Sequence, residues 1–378
     1  MALTEPSFTI GIEEEYLLID RETLNLAADP PKALFAECEE LLGSQVAPEF
    51  LRAQIEIGTK VCTSVQEAAA DLRRLRKAVS GVAEKHGLAI MAASTHPFAA
   101  WGEQKRTEKE RYNELAENLQ GVVRRLVISG MHVHVGIDDD DLRIDLMNQV
   151  SYFLPHLLAL STSSPFWQGR DTGLRSYRLA VWDELPRTGL PEQFESFGEY
   201  NRHVQMMIEA GIIDEPTKIW WDIRPSARFP TLEMRICDLC PRLADAVAIA
   251  AFYRCILRML WRLRRQNQRW RRYANLLIRE NRWRAQRYGC DGELIDFGIR
   301  RRVPFADLLE ELLELTRPDA EHFGCLTEIE HSRAILAHGT SARRQVQTYE
   351  AGLAEGLDPQ AAIEAVVAQL IDETVAGL

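Results

Sequence analysis

Three short segments alternate apolar side chains with acidic, imidazole or basic ones, and this pattern restricts the chain to folds with a two-faced sheet. The segments are residues 11–16, 129–136 and 231–236. Because successive side chains of a strand point to opposite faces, residues two apart share a face. Each segment therefore predicts a strand with one apolar face for a core and one polar face for a site.

The polar faces of these strands carry residue pairs that are typical of metal sites. The pairs are Glu13 with Glu15, His132 with His134, and Glu233 with Arg235, and Glu56 alternates in the same way. Two carboxylates at this spacing lie roughly 6–7 Å apart and repel each other when they are buried without partners. Divalent cations relieve that repulsion. Each pair alone also fits a solvated face or an ion pair, but together they predict one metal-containing site.

The composition sets broad limits on the class of protein. With 378 residues, 46% of them hydrophobic, the chain has ample material for a core. A formal net charge of −11 argues against a general nucleic-acid binder. No run approaches the ~18 apolar residues of a membrane span, and residues 1–8 show neither a basic nor an apolar stretch, so we expect a cytoplasmic protein without membrane or nucleic-acid partners. Seven scattered cysteines argue against a disulfide framework.

Strand and helix patterns alternate up to about residue 240, and mostly helical patterns follow. The alternation predicts strands over residues 8–19, 54–58, 88–93, 126–137, 218–224 and 229–238. Apolar periodicity and capping residues predict helices over residues 30–42, 64–86, 108–119, 142–160, 196–211, 243–288, 304–315, 331–336, 342–354 and 359–376. We therefore expect an α+β fold, a mostly antiparallel sheet with helices packed on one face. We expect one domain over residues 1–378, with residues 243–378 mainly helical.

Cations and arginines together suit phosphoryl transfer, because both neutralise charge on phosphate oxygens. Six arginines lie near the polar segments in sequence: Arg170, Arg175, Arg178, Arg224, Arg228 and Arg235. The chain contains neither a P-loop nor a Rossmann glycine motif. If the protein binds ATP, the nucleotide therefore lies on the metal-containing sheet.

A second basic feature is the stretch over residues 254–287, which contains twelve arginines interleaved with tryptophans and tyrosines. Such a stretch can bind RNA or another anion through charge and stacking. Alternatively, arginines at helical spacing cover apolar surface and pair with the acidic excess elsewhere in the chain. We favour the second interpretation.

Taken together, the motifs resemble those of the YbdK-type carboxylate–amine ligases, also called glutamate–cysteine ligases of type 2. The motifs are residues 11–15, 95–98, 130–136, 221–226, 233–238 and 281–289. The resemblance extends over nearly the whole chain, from residue 8 to residue 345. The sheet of that family is similar to the catalytic sheet of glutamine synthetase, so the resemblance implies a curved, mostly antiparallel sheet of that type.

The resemblance implies ATP-dependent amide formation with two or more Mg²⁺ (or Mn²⁺) ions. In such enzymes a substrate carboxylate attacks the γ-phosphate, an acyl phosphate forms, and an amine then displaces phosphate. Glutamate and cysteine are the default substrates, with weak glutamate–cysteine ligase activity expected, and the protein is expected to be a homo-oligomer. A guanidino or carboxylate kinase without ligation is an alternative, since that fold is related.

The resemblance also implies roles for the residues of the polar strand faces. Glu13, His132 and Glu233 correspond to the ligands of one metal ion, and Glu15 and Glu56 to those of another. His134 and Arg235 correspond to residues that contact ATP phosphates.

The remaining arginines are assigned to phosphate and substrate. Arg224 and Arg228 resemble arginines that hold phosphate or the substrate carboxylate, with the division between these roles open. Arg170, Arg175 and Arg178 are candidate substrate or lid residues. Gly169 and Gly173 lie in the same loop and could let it move over an acyl phosphate.

Overall fold

The computed structural model describes residues 4–108, 120 and 125–378. The strands are β1 (Ile10–Asp20), β2 (Val46–Pro48), β3 (Gln54–Gly58), β4 (Leu88–Met91), β5 (Met131–Gly136), β6 (Phe166–Trp167), β7 (Arg170–Asp171), β8 (Thr188–Gly189), β9 (Trp220–Trp221), β10 (Ile223–Pro225), β11 (Thr231–Met234), β12 (Glu293–Asp296) and β13 (Arg301–Pro304). Nearly all of the helix predicted over residues 108–119 lies outside the described residues.

The α-helices of the described residues begin in the N-terminal half and dominate after residue 240. They are α1 (Lys32–Leu42), α2 (Val65–Lys85), α3 (Asp140–Val150), α4 (Leu154–Ser161), α5 (Tyr177–Trp182), α6 (Phe197–Glu209), α7 (Leu243–Arg265), α8 (Asn275–Tyr288), α9 (Phe305–Phe323), α10 (Leu326–Glu330), α11 (Ser332–His338), α12 (Ser341–Ala354) and α13 (Pro359–Val375). Among these helices, none is long and apolar enough to cross a membrane.

The main sheet has seven strands in the described part of the chain. Six follow the order β10-β11-β5-β1-β3-β2, and β4 pairs with the C-terminal half of β1. Every pair in this sheet is antiparallel. The predicted α+β class with a mostly antiparallel sheet is confirmed, and the 11-residue strand β1 is its centre.

The apolar strand faces pack on helices as the alternation predicts. Ile12, Val133 and Leu232 belong to one large buried cluster with the apolar faces of α2 and α7. On the other face, a second cluster joins Leu17 and Ile19 of β1 to α13. The polar face is therefore open only over the N-terminal half of β1, which confines the site to that region.

Local sequence signals determine several element ends. Ser64 caps α2, since its hydroxyl accepts the Glu67 N–H at 3.1 Å, and Glu67 in turn accepts the Thr63 N–H at 2.9 Å. The helix therefore begins at the predicted Ser64 cap, and the Glu67 side chain also fixes the residue before that cap. The hairpin of β12 and β13, strand β2 and the short helix α5 were not predicted.

Tertiary contacts break two of the predicted elements. The helix predicted over residues 243–288 is divided into α7 and α8, because Asn267 has a left-handed φ of 58° and the Trp270 N–H donates to Gln149 of α3 at 2.9 Å. The strand predicted over residues 218–224 is divided into β9 and β10 at Asp222. The partner residues at these breaks, Gln149 for the helix and Gly189 for Asp222, are distant in sequence. The local sequence pattern therefore does not reveal the breaks.

One charged residue lies on the apolar face of β1. Glu14 is fully buried and accepts two hydrogen bonds from Arg76 of α2, at 2.8 and 2.6 Å. The hydroxyl of Tyr16 also donates to Glu14, and Arg76 donates to the Cys240 carbonyl at 2.8 Å. A fully satisfied ion pair therefore joins the central strand to the helical layer behind it.

We expect Arg76→Met to lower the free energy of unfolding by about 3–5 kcal/mol, because it leaves the Glu14 carboxylate buried without a counter-charge. Urea denaturation of the variant and the wild type measures this. Arg73→Met, at an exposed position of the same helix, is the control and should change the value by under about 0.5 kcal/mol. Equal losses in both variants would contradict the importance of this pair.

Candidate active site

The strand register brings the predicted polar residues side by side. Glu13 of β1 lies opposite His132 of β5, and Glu15 lies opposite Glu56 of β3. On the other edge of β5, His134 lies opposite Glu233 of β11, which in turn pairs with Arg224 of β10. Side chains directly across an antiparallel pair are neighbours, so five strands contribute to one continuous polar surface.

This surface forms the floor of a cavity of about 520 Å³. Nine of the residues predicted for the site line it: Glu13, Glu15, Glu56, His132, His134, Arg224, Arg228, Glu233 and Arg235. Further lining residues that the sequence interpretation missed include Glu49, Trp182, Lys218 and Phe229. Glu49 follows β2, a strand without an alternating pattern, so no local signal marked it.

Three groups of carboxylates and imidazoles in this cavity have ligand atoms within 4.8 Å of one another. The groups are Glu13, His134 and Glu233; Glu13, Glu56 and His132; and Glu15, Glu49 and Glu56. The imidazole nearest to both Glu13 and Glu233 is thus that of His134, whereas the resemblance implied His132. The division of these residues among metal ions stays a prediction.

Glu13 lies between the two histidines. His132 Nδ1 is 3.2 Å from one Glu13 oxygen, and His134 Nε2 is 3.4 Å from the other. Burial raises the pKa of Glu13, but the hydrogen bond with His132 and the adjacent His134 outweigh it, and the pKa is well below its usual value. Burial, followed by the charge of Arg235, lowers the pKa of His132 to about 4. His132 is therefore neutral near pH 7, as a metal ligand must be.

His134 has an orientation that suits a ligand. Its Nδ1 contacts the Thr231 hydroxyl at 2.9 Å, which fixes the ring. Its Nε2 is buried 3.4 Å from a Glu13 oxygen, without hydrogen-bond geometry to any described residue. A buried ring nitrogen placed beside the carboxylates of Glu13 and Glu233 fits a divalent cation.

The group of Glu15, Glu49 and Glu56 is electrostatically unfavourable by itself. Burial, and then the charge of Glu49, raise the pKa of Glu15 to about 8. The same two causes, with Glu13, raise the pKa of Glu56 well above its usual value. The Gly130 N–H donates to Glu15 at 2.7 Å and so fixes that carboxylate. Three carboxylates held together in this way fit a hard cation such as Mg²⁺.

At the opposite edge, arginines surround Glu233. Arg224 donates to both of its oxygens, at 3.0 and 3.2 Å, and Arg235 donates to one of them. Burial raises the pKa of Glu233, but Arg235 and Arg224 outweigh it, so the pKa is lowered and the carboxylate is charged. Arg235 Nε is buried without a partner in the described part of the chain. This edge can bind an anion next to the cation groups.

Three predicted substrate arginines do not line the cavity. Arg170 is exposed in β7, and Arg175 precedes α5. Arg178 is 3% exposed and donates to the carbonyls of Ile236 and Arg235, at 3.3 and 3.1 Å. The substrate role of these three arginines stays a prediction. These contacts of Arg178 are with backbone carbonyls of the chain itself and support the local structure.

The loop that carries these arginines contains the β6–β7 hairpin. The Gly169 N–H donates to the Pro97 carbonyl at 3.0 Å, and both Gly169 and Gly173 have positive φ angles that favour glycine. Arg287 donates to the Gly173 carbonyl. The predicted lid is therefore attached to its surroundings at both glycines.

His96, in another of the family motifs, has a structural environment. Its Nδ1 accepts the N–H groups of Phe98 and Ala99, at 3.2 and 3.0 Å, and its Nε2 donates to the Leu24 carbonyl at 3.0 Å. Burial lowers its pKa to about 3, so the ring is neutral. It holds the loop after β4 and does not line the cavity.

The arginine-rich stretch is largely occupied by internal partners. Arg258 and Arg262 pair with buried Asp319, and Arg264 and Arg269 pair with Asp145. Arg254 donates to the Phe8 carbonyl at 2.7 Å. These contacts agree with the interpretation in which the arginines cover apolar surface and pair with acids.

Two solved structures share the fold at low sequence identity. The chain aligns with a bifunctional glutathione synthetase from Pasteurella multocida at a TM-score of 0.68 and 16% identity, over 96% of this chain and 53% of that one. It aligns with a glutamate–cysteine ligase from Francisella tularensis, solved in complex with AMP, at a TM-score of 0.68 and 14% identity, over 100% of this chain and 90% of that one. Two ligases thus have the same arrangement of sheet and helices.

Sequence comparison identifies the class. A protein of Rhodospirillum rubrum with the provisional name glutamate–cysteine ligase 2 is 62% identical over 100% of this chain and 98% of its own length. A protein of the same provisional name from Jannaschia sp. is 55% identical over 98% of this chain and 97% of its own length. The protein is a carboxylate–amine ligase, an enzyme that forms carbon–nitrogen bonds.

The profile of glutamate–cysteine ligase family 2 matches residues 9–369. The chain belongs to that family, and the resemblance seen in the sequence motifs is confirmed. Membership implies ATP and a divalent metal as cofactors and small-molecule substrates.

The metal-free protein should lose stability as the pH rises above about 6.5. The folded state raises the pKa of Glu15 from 4.5 to about 8 and so keeps a proton that the unfolded state has lost, which lowers stability between about pH 6.5 and pH 8. Below pH 6.5 the lowered pKa values of His132 and His96 act in the opposite direction, because the unfolded state binds protons there that the folded state does not. Saturating Mg²⁺ should offset the loss at high pH, because a ligand at a hundredfold excess over its Kd adds about 2.7 kcal/mol to the free energy of unfolding. Melting temperatures across that pH range, in EDTA and in Mg²⁺, test both statements.

Glu56→Gln removes one of the repelling carboxylates. The melting temperature of this variant in EDTA should therefore depend less on pH, and Mg²⁺ should no longer raise it. Glu355→Gln, at an exposed position, should behave like the wild type. Identical melting temperatures of the wild type in EDTA and in Mg²⁺ at pH 8 would argue against a cation site here.

Proposed function

We propose that this protein uses ATP to activate a substrate carboxylate as an acyl phosphate and then joins it to an amine. The observation that carries the proposal is the cavity floor, where groups of carboxylates and imidazoles lie directly beside arginines. Cations and arginines at one place match the triphosphate of ATP, whose charge must be neutralised from several sides during transfer.

The cavity residues have different roles in the proposed reaction. The carboxylates and imidazoles of the three groups would hold Mg²⁺ ions, which when bound spread the charge of the γ-phosphate. Arg235, held by Glu233 and with a free Nε, is placed to donate to a phosphate oxygen. Arg228 lies at the cavity wall on the β10–β11 turn and supplies a second positive charge.

The proposed reaction has two displacements. An oxygen of the substrate carboxylate attacks the γ-phosphorus, and the bond from that phosphorus to ADP breaks. The amine nitrogen then attacks the acyl carbon, the bond from carbon to phosphate oxygen breaks, and the amine gives up a proton. The buried floor restricts water, which would otherwise hydrolyse the acyl phosphate.

The comparisons support the choice of nucleotide and substrates. The Francisella tularensis ligase holds AMP in its structure, and relatives carry glutamate and cysteine in their names. We therefore propose a glutamate-like amino acid as the acid and cysteine as the first amine to test. A homo-oligomer and a cytoplasmic location are part of the same proposal.

Hydroxylamine trapping tests the chemistry. The purified protein, ATP and Mg²⁺ are incubated with hydroxylamine and one carboxylic acid at a time, beginning with glutamate. A hydroxamate formed with equimolar ADP would establish the acyl phosphate and identify the acid. Phosphorylated product without hydroxamate would favour a kinase instead.

Glu13→Gln, His132→Ala and Glu233→Gln should each lower the rate of hydroxamate formation at least about 100-fold, because each removes a charge or a ligand from the phosphate site. Circular dichroism checks that the variants remain folded. Glu364→Gln, in α13 and away from the cavity lining, is the control with wild-type activity. Wild-type rates in all three site variants would overturn the site assignment.

A further inference from the structure

Arg282 of α8 lies outside the cavity lining and joins two carboxylates. It donates to both oxygens of Asp222, at 2.7 and 3.1 Å, and to both oxygens of Asp183, at 2.7 and 2.8 Å. Arg282 is 7% exposed and Asp222 is 1% exposed. Such two-pronged bonds between a planar guanidinium and carboxylates fix orientation as well as distance.

Asp222 connects this guanidinium to the arginine edge of the cavity. Its carbonyl accepts the backbone N–H groups of Arg235 and Ile236, at 2.8 and 3.1 Å, and its own N–H donates to the Gly189 carbonyl at 2.8 Å. Arg224 follows Asp222 by two residues on β10. The position of Asp222 therefore sets the backbone position of both arginines that bind Glu233.

Asp183 connects the same guanidinium to a wall of the cavity. It directly follows Trp182, whose ring centre is 5.9 Å from the Arg235 guanidinium carbon. The Trp182 indole N–H donates to the Trp220 carbonyl at 3.2 Å, which orients the ring. A cation over an indole face is attracted to it, so Trp182 restricts Arg235 from a second side.

We propose that Arg282 is a positioning residue for the ligase reaction. It holds Asp222 on one side of Arg235 and Asp183, next to Trp182, on the other. These two contacts together fix the orientation of the Arg235 guanidinium. The inference rests on the proposed function, because it assumes that Arg235 meets a phosphate. Small displacements of such a group have large effects on rate, since the transition state needs the donor at one place.

Arg282→Lys tests this, because a lysine keeps the charge but cannot make two-pronged bonds to both carboxylates. We expect kcat for hydroxamate formation to fall about 10- to 100-fold, and the Kd for Mg²⁺ and AMP-PNP, measured by calorimetry, to rise by about tenfold. Asp183→Asn, at a partly exposed position, removes one half of the contact and should give the same changes at smaller size, about threefold.

Arg344→Lys is the matched control. Arg344 is 8% exposed and donates to both oxygens of Glu373, at 2.8 and 2.7 Å, between α12 and α13. Both lysine variants should lose thermal stability, but only Arg282→Lys should lose activity and nucleotide affinity when measured well below the melting temperature. Equal effects in the two variants would overturn the positioning role.

The two proposals fail in different ways. A wild type that binds AMP-PNP and forms no hydroxamate with any acid would overturn the ligation chemistry, and the nucleotide affinities of Arg282→Lys and Arg344→Lys would then decide the role of Arg282. A wild type that forms hydroxamate, together with an Arg282→Lys variant of unchanged kcat and Kd, would overturn the positioning role alone.

Discussion

Three consecutive glutamates in the central strand are the constraint on which the structure depends. Strand geometry sends Glu14 into the core and leaves Glu13 and Glu15 on the cavity floor. An isolated charge in the core costs several kcal/mol, and Arg76 offsets that cost with a fully hydrogen-bonded ion pair. The same contact joins the sheet to α2. The charge on the apolar face of β1 therefore helps to fix the helical layer that supports the site.

The two edges of the cavity floor differ in their charge. At one edge, Arg224 and Arg235 neutralise Glu233 and leave a donor free. At the other edge, Glu15, Glu49 and Glu56 have a surplus of negative charge, which the raised pKa of Glu15 reflects. A surface that attracts anions at one edge and cations at the other suits a nucleotide bound with its metal ions.

The main strands and the polar pairs on them could be predicted from sequence, because alternation is a local property. Glu49 could not be predicted, since it follows an irregular strand and reaches the site only through pairing of β2 with β3. The break at Asp222 depends on contacts with β8, and the role of Arg282 depends on a carboxylate 60 residues away in the chain. The sequence did not reveal the surroundings of Arg178 either, since the fold buries this predicted substrate arginine against backbone carbonyls.

The sequence by itself determined which residues share a face, because the two-residue period of a strand follows from covalent geometry. It also determined the family, through motifs spread over nearly the whole chain. Only the tertiary structure decided which groups meet across strands. The register placed His132 opposite Glu13 and His134 opposite Glu233, and register results from the packing of the whole apolar face, which no single segment encodes.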